Sequence, residues 1–392
     1  MNLGVVSVNT YERDEVTKAV DELFNQLGGI TKYVPKNKKV FVKANLVRDM
    51  PPEKCGTTHP EVVIAVVKKL IDECQAEVTV GDSSGGGYTK TLMGGVFRAT
   101  KMDYACAESG AKLIDDFGYQ TVDIDGVMLH KLDVTNSFLD ADVVINIGKL
   151  KTHSFTGFTG CVKNLYGLIP GLIKVEVHAA FPNLEQFTDV LIDIERYASP
   201  KIALHILDAV YGMEGDGPTN GKPKFIGKLI ASPNAYLADV AGVSLFADPK
   251  SMPLIKKAIK RGIISEDFCE SEYDLTTLTK EYIEDFDRIK VFSVNFKRNM
   301  PKWFARFIRN SMSPKVRPSK RLCKGCQKCY HHCPAKAITM VKKIAVVDQV
   351  KCIRCYCCQE LCPHDAVKLH KPIVYRFARL VSKGKSAKKT KK

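Results

Sequence analysis

The chain has 392 residues, of which 45% are hydrophobic and 26% charged, and its formal net charge is +16. That length exceeds one small core, so two domains are expected, and the balance is that of a folded globular protein rather than a disordered one. No run reaches the ~18–20 apolar residues of a membrane span, and the opening MNLGVVSVNTYERDEV carries acids where a secretory leader needs a long apolar stretch.

Residues 1–296 alternate between strand-like and helix-like patterns. Short β-rich runs occur at Val5–Val8, Val40–Lys43, Val78–Val80, Val143–Ile147, Ile202–Leu207 and Ile289–Val294. Between them, Glu61–Cys74 places Val62, Val66, Leu70 and Ile71 near one helical face, and Leu184–Tyr197 places Leu184, Phe187, Leu191 and Ile194 on one stripe. This alternation predicts a large α/β domain with a mostly parallel sheet. Strand order is not legible from one sequence.

Polar residues cluster where these strand runs end, which is where α/β sheets bind ligands. Lys43 and Asn45 close the second run. GDSSGGG follows Val80, and its Ser83, Ser84, Gly85 and Gly86 form either an anion-binding loop of backbone N–H groups or a plain turn. The loop matches neither G-x-G-x-x-G nor a P-loop, so it implies no nucleotide. Asn146, Lys149, Lys151 and His153 follow the fourth run, and a Gly/Thr/Ser-rich stretch then leads to Cys161, Lys163 and Asn164. Any one of these lysines is ordinarily a solvated charge; together, Lys43, Lys149, Lys151 and Lys163 favour a carboxylate or phosphate ligand. Asp82, Asp208 and Glu214 are candidates for acid–base work or for a divalent metal, His153 is the favoured proton donor and His178 a second. Cys161 is either a nucleophile or, with no evident base, a small buried residue.

Residues 297–322 read as a basic connector punctuated by Pro301, Pro314 and Pro318, with Met300, Trp303, Phe304, Phe307 and Ile308 at helical spacing. Residues 371–392 read as a basic tail, whose Ile373, Phe377 and Leu380 repeat that theme. Such stripes either pack on a neighbouring domain, the favoured reading, or lie on a membrane surface. Excess positive charge can attract an acidic redox partner, nucleic acid or anionic lipid and does not choose among them, and a solvated, disordered tail is the favoured reading of its end; with no nucleic-acid motif present, nucleic-acid binding is not expected.

Nine of the fourteen cysteines fall between 323 and 362. They include two copies of C-x2-C-x2-C-x3-C-P, offset by 29 residues: Cys323, Cys326, Cys329, Cys333 and Cys352, Cys355, Cys358, Cys362. Three cysteines in a tight loop wrap three iron corners of a cubane, and the fourth serves the other cluster. The spacing therefore predicts one 4Fe-4S cluster on Cys323, Cys326, Cys329 and Cys362 and a second on Cys352, Cys355, Cys358 and Cys333. Zinc sites more often use separated C-x2-C pairs, so zinc is disfavoured. Cys357, beside Cys358, is either a free thiol or a competing ligand. A module of residues 323–370 has little apolar volume, so bound clusters supply much of its folding free energy, over a small core of Ile338, Met340, Ile344 and Val346.

Residues 323–370 resemble a bacterial-type two-cluster ferredoxin, which implies relay of single electrons at low potential. Residues 1–296 resemble the DUF362 family through KANLV at 43–47, GDSSGG at 81–86, NIGKLKTHSFTGFTGCVKNLYGLIPG at 146–171 and LDAVYGMEGDGPTNG at 207–221. That resemblance implies an α/β domain joined to a ferredoxin module and supplies no reaction. The expected activity is iron–sulfur electron transfer to or from an anionic substrate or a redox partner protein, with a non-catalytic carrier or a redox-sensing assembly factor as alternatives. A flavin is compatible as a two-to-one-electron bridge, but no feature requires it. Oxygen-labile cubanes favour the cytoplasm of an oxygen-poor cell.

Overall fold

Valine-rich runs fold as buried parallel strands only when helices cover both faces of the sheet. The computed structural model describes residues 2–268, 275–288 and 314–370. It divides into two units, Met1–Ile289 and Lys290–Lys392. The run expected as a strand at Ile289–Val294 and the two aromatic stripes, at Met300–Ile308 and 371–383, lie outside the described residues.

The first unit contains β1 (Gly4–Ser7), β2 (Lys39–Lys43), β3 (Glu77–Gly81), β4 (Lys112–Leu113), β5 (Tyr119–Asp123), β6 (Lys131–Thr135), β7 (Val143–His153), β8 (Gly157–Thr159), β9 (Ile202–Glu214) and β10 (Lys222–Ser232). The main sheet runs β1-β10-β9-β7-β2-β3-β4, with β8 beside β7, while β5 and β6 form a separate hairpin. Neighbours from β9 through β7, β2 and β3 to β4 are parallel. β10 and β1 join antiparallel at the β9 edge. The expected α/β class with a mostly parallel sheet is what forms. β10 escaped notice because Pro223 and three lysines interrupt its apolar pattern, and its register shifts between Phe225 and Lys228.

Helix Pro60–Cys74 begins with Pro60 at its first position, where the missing N–H costs nothing. Its cap is His59, whose Nδ1 accepts the Glu61 N–H at 3.3 Å. Val62, Val63, Ile64, Val66, Val67 and Leu70 are all buried, more than one face. Each such side chain contributes on the order of 1.5–3 kcal/mol relative to exposure. This helix packs on helices Arg13–Leu27 and Met102–Ser109. Elsewhere Leu184–Ala198 packs on Pro253–Lys260, and Ala235–Ser244 packs on β9 and β10. Phe187, Leu191 and Ile194 are buried on the expected stripe of Leu184–Ala198. Ten of the eleven β7 residues are buried, as a strand covered on both faces must be.

The second unit has β11 (Lys315–Pro318), β12 (Ile338–Val341), β13 (Ile344–Val347) and β14 (Val367–His370), paired antiparallel as β11/β14 and β12/β13. The 29-residue offset seen in the cysteines governs the whole backbone. β11 maps onto β13, β12 onto β14, and helical turn Lys328–His331 onto Cys357–Glu360. Left-handed residues recur at Gly325 and Arg354, Gln327 and Tyr356, and Lys336 and Asp365. The repeat thus begins at Lys315, not Cys323, and the last residues assigned to the connector belong to the module. A second correction concerns the small core. In β12/β13, Ile338 faces Val347 and Met340 faces Ala345, and these pairs pack with Cys329, whereas Val346 is 46% exposed. Side chains alternate along a strand, so a choice shifted by one residue selects the outer face.

A fragment starting at Cys323 leaves β14 without its partner. Fragment 314–370 is expected to bind more iron per chain, and to melt higher, than fragment 323–370; equal iron and sulfide content would contradict this.

Candidate functional sites

In the second unit, tight loops bring the cysteines of the two repeats together. Burial and the neighbouring Cys362, Cys326 and Cys323 sulfurs push the Cys329 thiol up to about 11. Burial, then Cys355, Cys352, Cys329 and Cys333, push Cys358 well up. Both groups mix cysteines of the two repeats. Thiols crowded in this way cannot all ionise unless a cation takes the place of their protons. The donor set therefore fits a positively charged iron core. Cys333, Cys352, Cys355 and Cys358 line a small, partly open cavity, walled by Val316, Ile338, Val347 and Tyr356. Among the described residues, no three His, Cys, Asp or Glu side chains close on one point as a single ion requires; these four surround a space instead. Cys357 does not line that cavity; it is buried, with its Sγ 3.9 Å from the Cys355 carbonyl. The Ala337 and Ala366 N–H groups donate to Cys333 and Cys362 Sγ at 3.3 Å each, another feature kept by the repeat.

In the first unit, parallel pairing sets Lys43 beside Gly81 and Asn146, Asn146 beside His205, and Lys149 beside Asp208. The polar residues expected to follow the fourth strand run lie inside β7, which continues to His153. Lys43, Asp82, Asn146, Lys149, Lys151, His153 and Asp208 are each 5% exposed or less. Buried charges persist only when paired and hydrogen-bonded. Lys43 Nζ lies 2.8 Å from Asp82 Oδ1, and Asp82 Oδ2 accepts the Leu46 N–H at 2.7 Å. Burial pulls the Lys43 ammonium down, and Asp82 opposes it.

Lys149 Nζ lies 2.9 Å from Asp208 Oδ2 and donates to Tyr11 OH at 2.7 Å. Tyr11 OH donates in turn to Asp208 Oδ1 at 2.6 Å, and the His59 N–H donates to Oδ2 at 3.0 Å. The Tyr11 and His59 rings stack at 3.6 Å. Burial, reinforced by Asp208, raises the Tyr11 phenol well above its usual value, and burial lowers the His59 imidazole to about 4. Lys151 Nζ donates to Asn45 Oδ1 at 2.7 Å and to the Gly56 carbonyl at 2.5 Å. Asn164 joins the parts: its Oδ1 accepts from Asn45, and its Nδ2 donates to Asn146 Oδ1, each at 2.8 Å.

Other candidates take different places. His153 Nδ1 accepts the Phe155 and Thr156 N–H groups at 3.1 and 3.2 Å, so it closes the β7–β8 turn. His178 stacks on Phe187 at 4.2 Å. Lys163 Nζ sits 5.6 Å over the Tyr166 ring. Cys161 is fully buried, and its N–H and that of Val162 donate to the Asp239 carboxyl at 2.5 and 3.1 Å. Glu214 accepts the Asp287 N–H at 2.8 Å, and among the described residues Asp82, Asp208 and Glu214 form no group that could hold one metal. In the glycine-rich loop, the N–H groups of Ser83, Gly85 and Gly86 go to Asp82, the Val47 carbonyl and Ser84 Oγ. The loop presents acceptors instead. Ser83 Oγ accepts the Gly171 N–H at 2.6 Å and Lys174 Nζ at 2.8 Å. Burial brings the Lys174 ammonium down to about 7.

Sequence reading missed Lys174, Tyr11, His59 and His205. Lys174 and Tyr11 sit far from the strand ends they serve. The Lys149-Leu150-Lys151-Thr152-His153 alternation, by contrast, is a period of two that already marks a continued strand.

An α/β sheet domain followed by a cysteine-rich repeat module defines a class of iron–sulfur proteins. The chain belongs to the DUF362 family, whose model, described as a domain of unknown function, matches residues 40–244, just over half of the chain. A 4Fe-4S dicluster domain matches residues 315–363. A thylakoid-associated protein of Synechocystis is 28% identical over 265 residues, 67% of this chain and 80% of that protein. A component of an ion-translocating oxidoreductase complex from Methanosarcina acetivorans is 45% identical over 47 residues, 12% of this chain and 18% of that protein. Among solved structures, the lactate racemase apoprotein of Thermoanaerobacterium thermosaccharolyticum overlaps 60% of this chain and 56% of its own, at 14% identity and a TM-score of 0.39. A structural-genomics protein from Thermotoga maritima overlaps 60% and 59%, at 14% identity and a TM-score of 0.34. The chain thus spans little more than half of either structure.

A β-carbon on Gly167 would lie 2.6 Å from Lys43 Nζ and closer still to Asp82 Oδ1. Gly167→Ala is expected to part that pair and cost about 1–3 kcal/mol in denaturant unfolding. Lys174 carries a depressed folded pKa, so its contribution is complete above the unfolded value near 10.5 and is lost as pH falls through about 7. The melting temperature of the parent relative to Lys174→Met should therefore rise between about pH 7 and 10. A flat difference would show that Lys174 does not titrate in that window.

Proposed function

We propose that this protein transfers electrons through two 4Fe-4S clusters and exchanges them with a small anionic substrate or a redox partner at its α/β domain. The observation that carries the reading is the convergence of thiols from opposite repeats. Cys323, Cys326, Cys329 and Cys362 would hold one cluster, and Cys352, Cys355, Cys358 and Cys333 the other. When bound, the clusters supply single-electron transfer at low potential. The polypeptide tunes that chemistry. The Ala337 and Ala366 N–H groups, pointed at Cys333 and Cys362, favour the extra negative charge of the reduced state. The walls of Val316, Ile338, Val347 and Tyr356 give one cysteine set an apolar flank.

In the α/β domain, the water-excluded layer of Lys43, Lys149 and Lys151 would orient an anion, with Asp82 and Asp208 holding the ammonium groups in place. Tyr11, hydrogen-bonded to both Lys149 and Asp208, is positioned to pass a proton at its hydroxyl. This reading makes the chain a reductase-like enzyme. The relative described as thylakoid-associated favours a second reading, in which the chain works at a membrane surface. Among the described residues, no helix is long and apolar enough to cross a membrane.

Anaerobically prepared protein should hold about eight iron and eight labile sulfide per chain. Cys329→Ser or Cys358→Ser should remove roughly half of each, and Cys357→Ala should remove none. A colourless protein containing zinc would refute the proposal. Substrate dependence is decided by cluster reoxidation with candidate carboxylates and phosphates. A rate indifferent to all of them would leave a carrier rather than an enzyme.

A further inference from the structure

The two repeats share a backbone but not a surface. Residues 315–343 contain nine Lys and Arg and no Asp or Glu, whereas residues 344–370 contain three of each sign. One cysteine pair differs in the same sense. Cys326 is exposed, while its counterpart Cys355 is 8% exposed. Tyr330 is 43% exposed, while its counterpart Gln359 is fully buried. Lys324 and Lys328 flank Cys326 two residues away on either side, and both are exposed. The exposed turn at Lys342–Lys343 closes the field, because a β-carbon on Gly325 would lie 2.7 Å from the Lys343 carbonyl and 3.2 Å from its side chain. The exposed edge of one cysteine set therefore lies within a patch of positive charge that, among the described residues, has no counterpart around the other.

We infer that this basic face of the first repeat is a docking surface for an acidic redox protein, and that electrons enter or leave the module at Cys326. The inference rests on the electron-transfer reading above and adds the port and the charge of the partner. One electron crosses per encounter: the partner's prosthetic group is oxidised by one electron and the module reduced by one, or the reverse. Electron transfer weakens steeply with distance, so the exposed cysteine edge is the efficient crossing point. A one-signed field around it raises the encounter rate with an oppositely charged carrier, by about 10-fold to 1,000-fold at low salt. Tyr330 supplies an aromatic contact beside the port of the kind that anchors interfaces. A lipid surface would meet the same charges, but it offers no centre to exchange an electron with the edge those charges frame.

The test uses the full, cluster-loaded chain and an acidic flavodoxin as probe. Association is followed by stopped flow between about 0.02 and 0.3 M salt. The parent rate should fall steeply with salt. Lys324→Glu/Lys328→Glu/Lys343→Glu should slow low-salt association at least tenfold and abolish most of the salt dependence. Lys351→Glu/Lys368→Glu on the second repeat should change it less than twofold. Iron and sulfide content is measured for each variant; if the glutamates disturb loading, the glutamine triple replaces them and should still lose most of the salt dependence. Equal losses in both variants, a salt-independent parent, or no binding of flavodoxin would overturn the inference. So would capture through the same lysines of phosphatidylserine vesicles but not of flavodoxin, which would assign the face to a membrane. Absence of iron would instead sink the electron-transfer reading itself, so the two failures are distinguishable.

Discussion

Crowded sulfur is the constraint on which the C-terminal unit depends. Thiols drawn from two repeats lie close enough to raise one another's pKa, and a polypeptide gains nothing from that arrangement unless a cation neutralises it. Among the described residues, one inner cluster is Cys329, Ile338 and Ala345 with a few half-buried neighbours, and the strands are four residues long. Isolated two-stranded hairpins of that length are marginal in water. The unusual backbone conformations accordingly gather around the cysteines. Left-handed residues occur in both cysteine loops, and N–H groups point at Cys333 and Cys362. Fold and cofactor chemistry are one problem here, because the residues that would ligate are also those that link the halves.

The α/β unit solves the opposite problem. Its core is large enough to fold without help, and that stability supports a costly feature, a layer of charge excluded from water. Parallel strands deliver Lys43, Lys149 and Lys151 to one end of the sheet, the loops supply Asp82, Tyr11 and His59 as partners, and the helical turn Cys161–Asn164 supplies Asn164. Removing one member of such a buried pair typically costs about 3–5 kcal/mol, because the other charge is left uncompensated. The layer is therefore rigid as well as polar. Its lysines are already engaged, so an anion bound there would exchange places with acceptors the protein provides, which favours ligands that present several oxygens at once.

Much of this is legible in the sequence, for reasons that differ between the units. The cysteine spacing is a covalent statement about which thiols can share a cluster, and the repeat offset carries the pairing with it. The α/β class is legible because buried strands and amphipathic helices have different periods. The lysines at the strand ends are legible as a group, but their partners are not. Lys174 reaches Ser83 across 91 residues of sequence, and Tyr11 reaches Asp208 across 197. A pairing made by topology leaves no local pattern. Two further departures are local. The polar residues of β7 suggest the end of a strand, although a fully covered strand can bury lysines once acceptors are supplied. The first cysteine suggests the start of the module, because Lys315–Pro318 resembles the basic stretch before it and differs from its counterpart Ile344–Val347 in every residue.

That last difference bears on how a duplicated module specialises. Features that the ligand spacing demands are preserved between the halves: the left-handed residues, the helical turns after the second cysteine of each loop, and the N–H donors to the fourth. Charge and exposure are free of that demand, and they have diverged. If the two halves served interchangeable roles, nothing physical would hold nine basic residues and no acid on one half while the other stays balanced. Self-repulsion among those lysines costs stability, and a compact unit with so small a core has little to spare. The asymmetry is best understood as a demand made from outside the fold. An electron path needs an end that partners can reach and an end that they cannot, and the first repeat, with Cys326 open to solvent among lysines, has the chemistry of the reachable end.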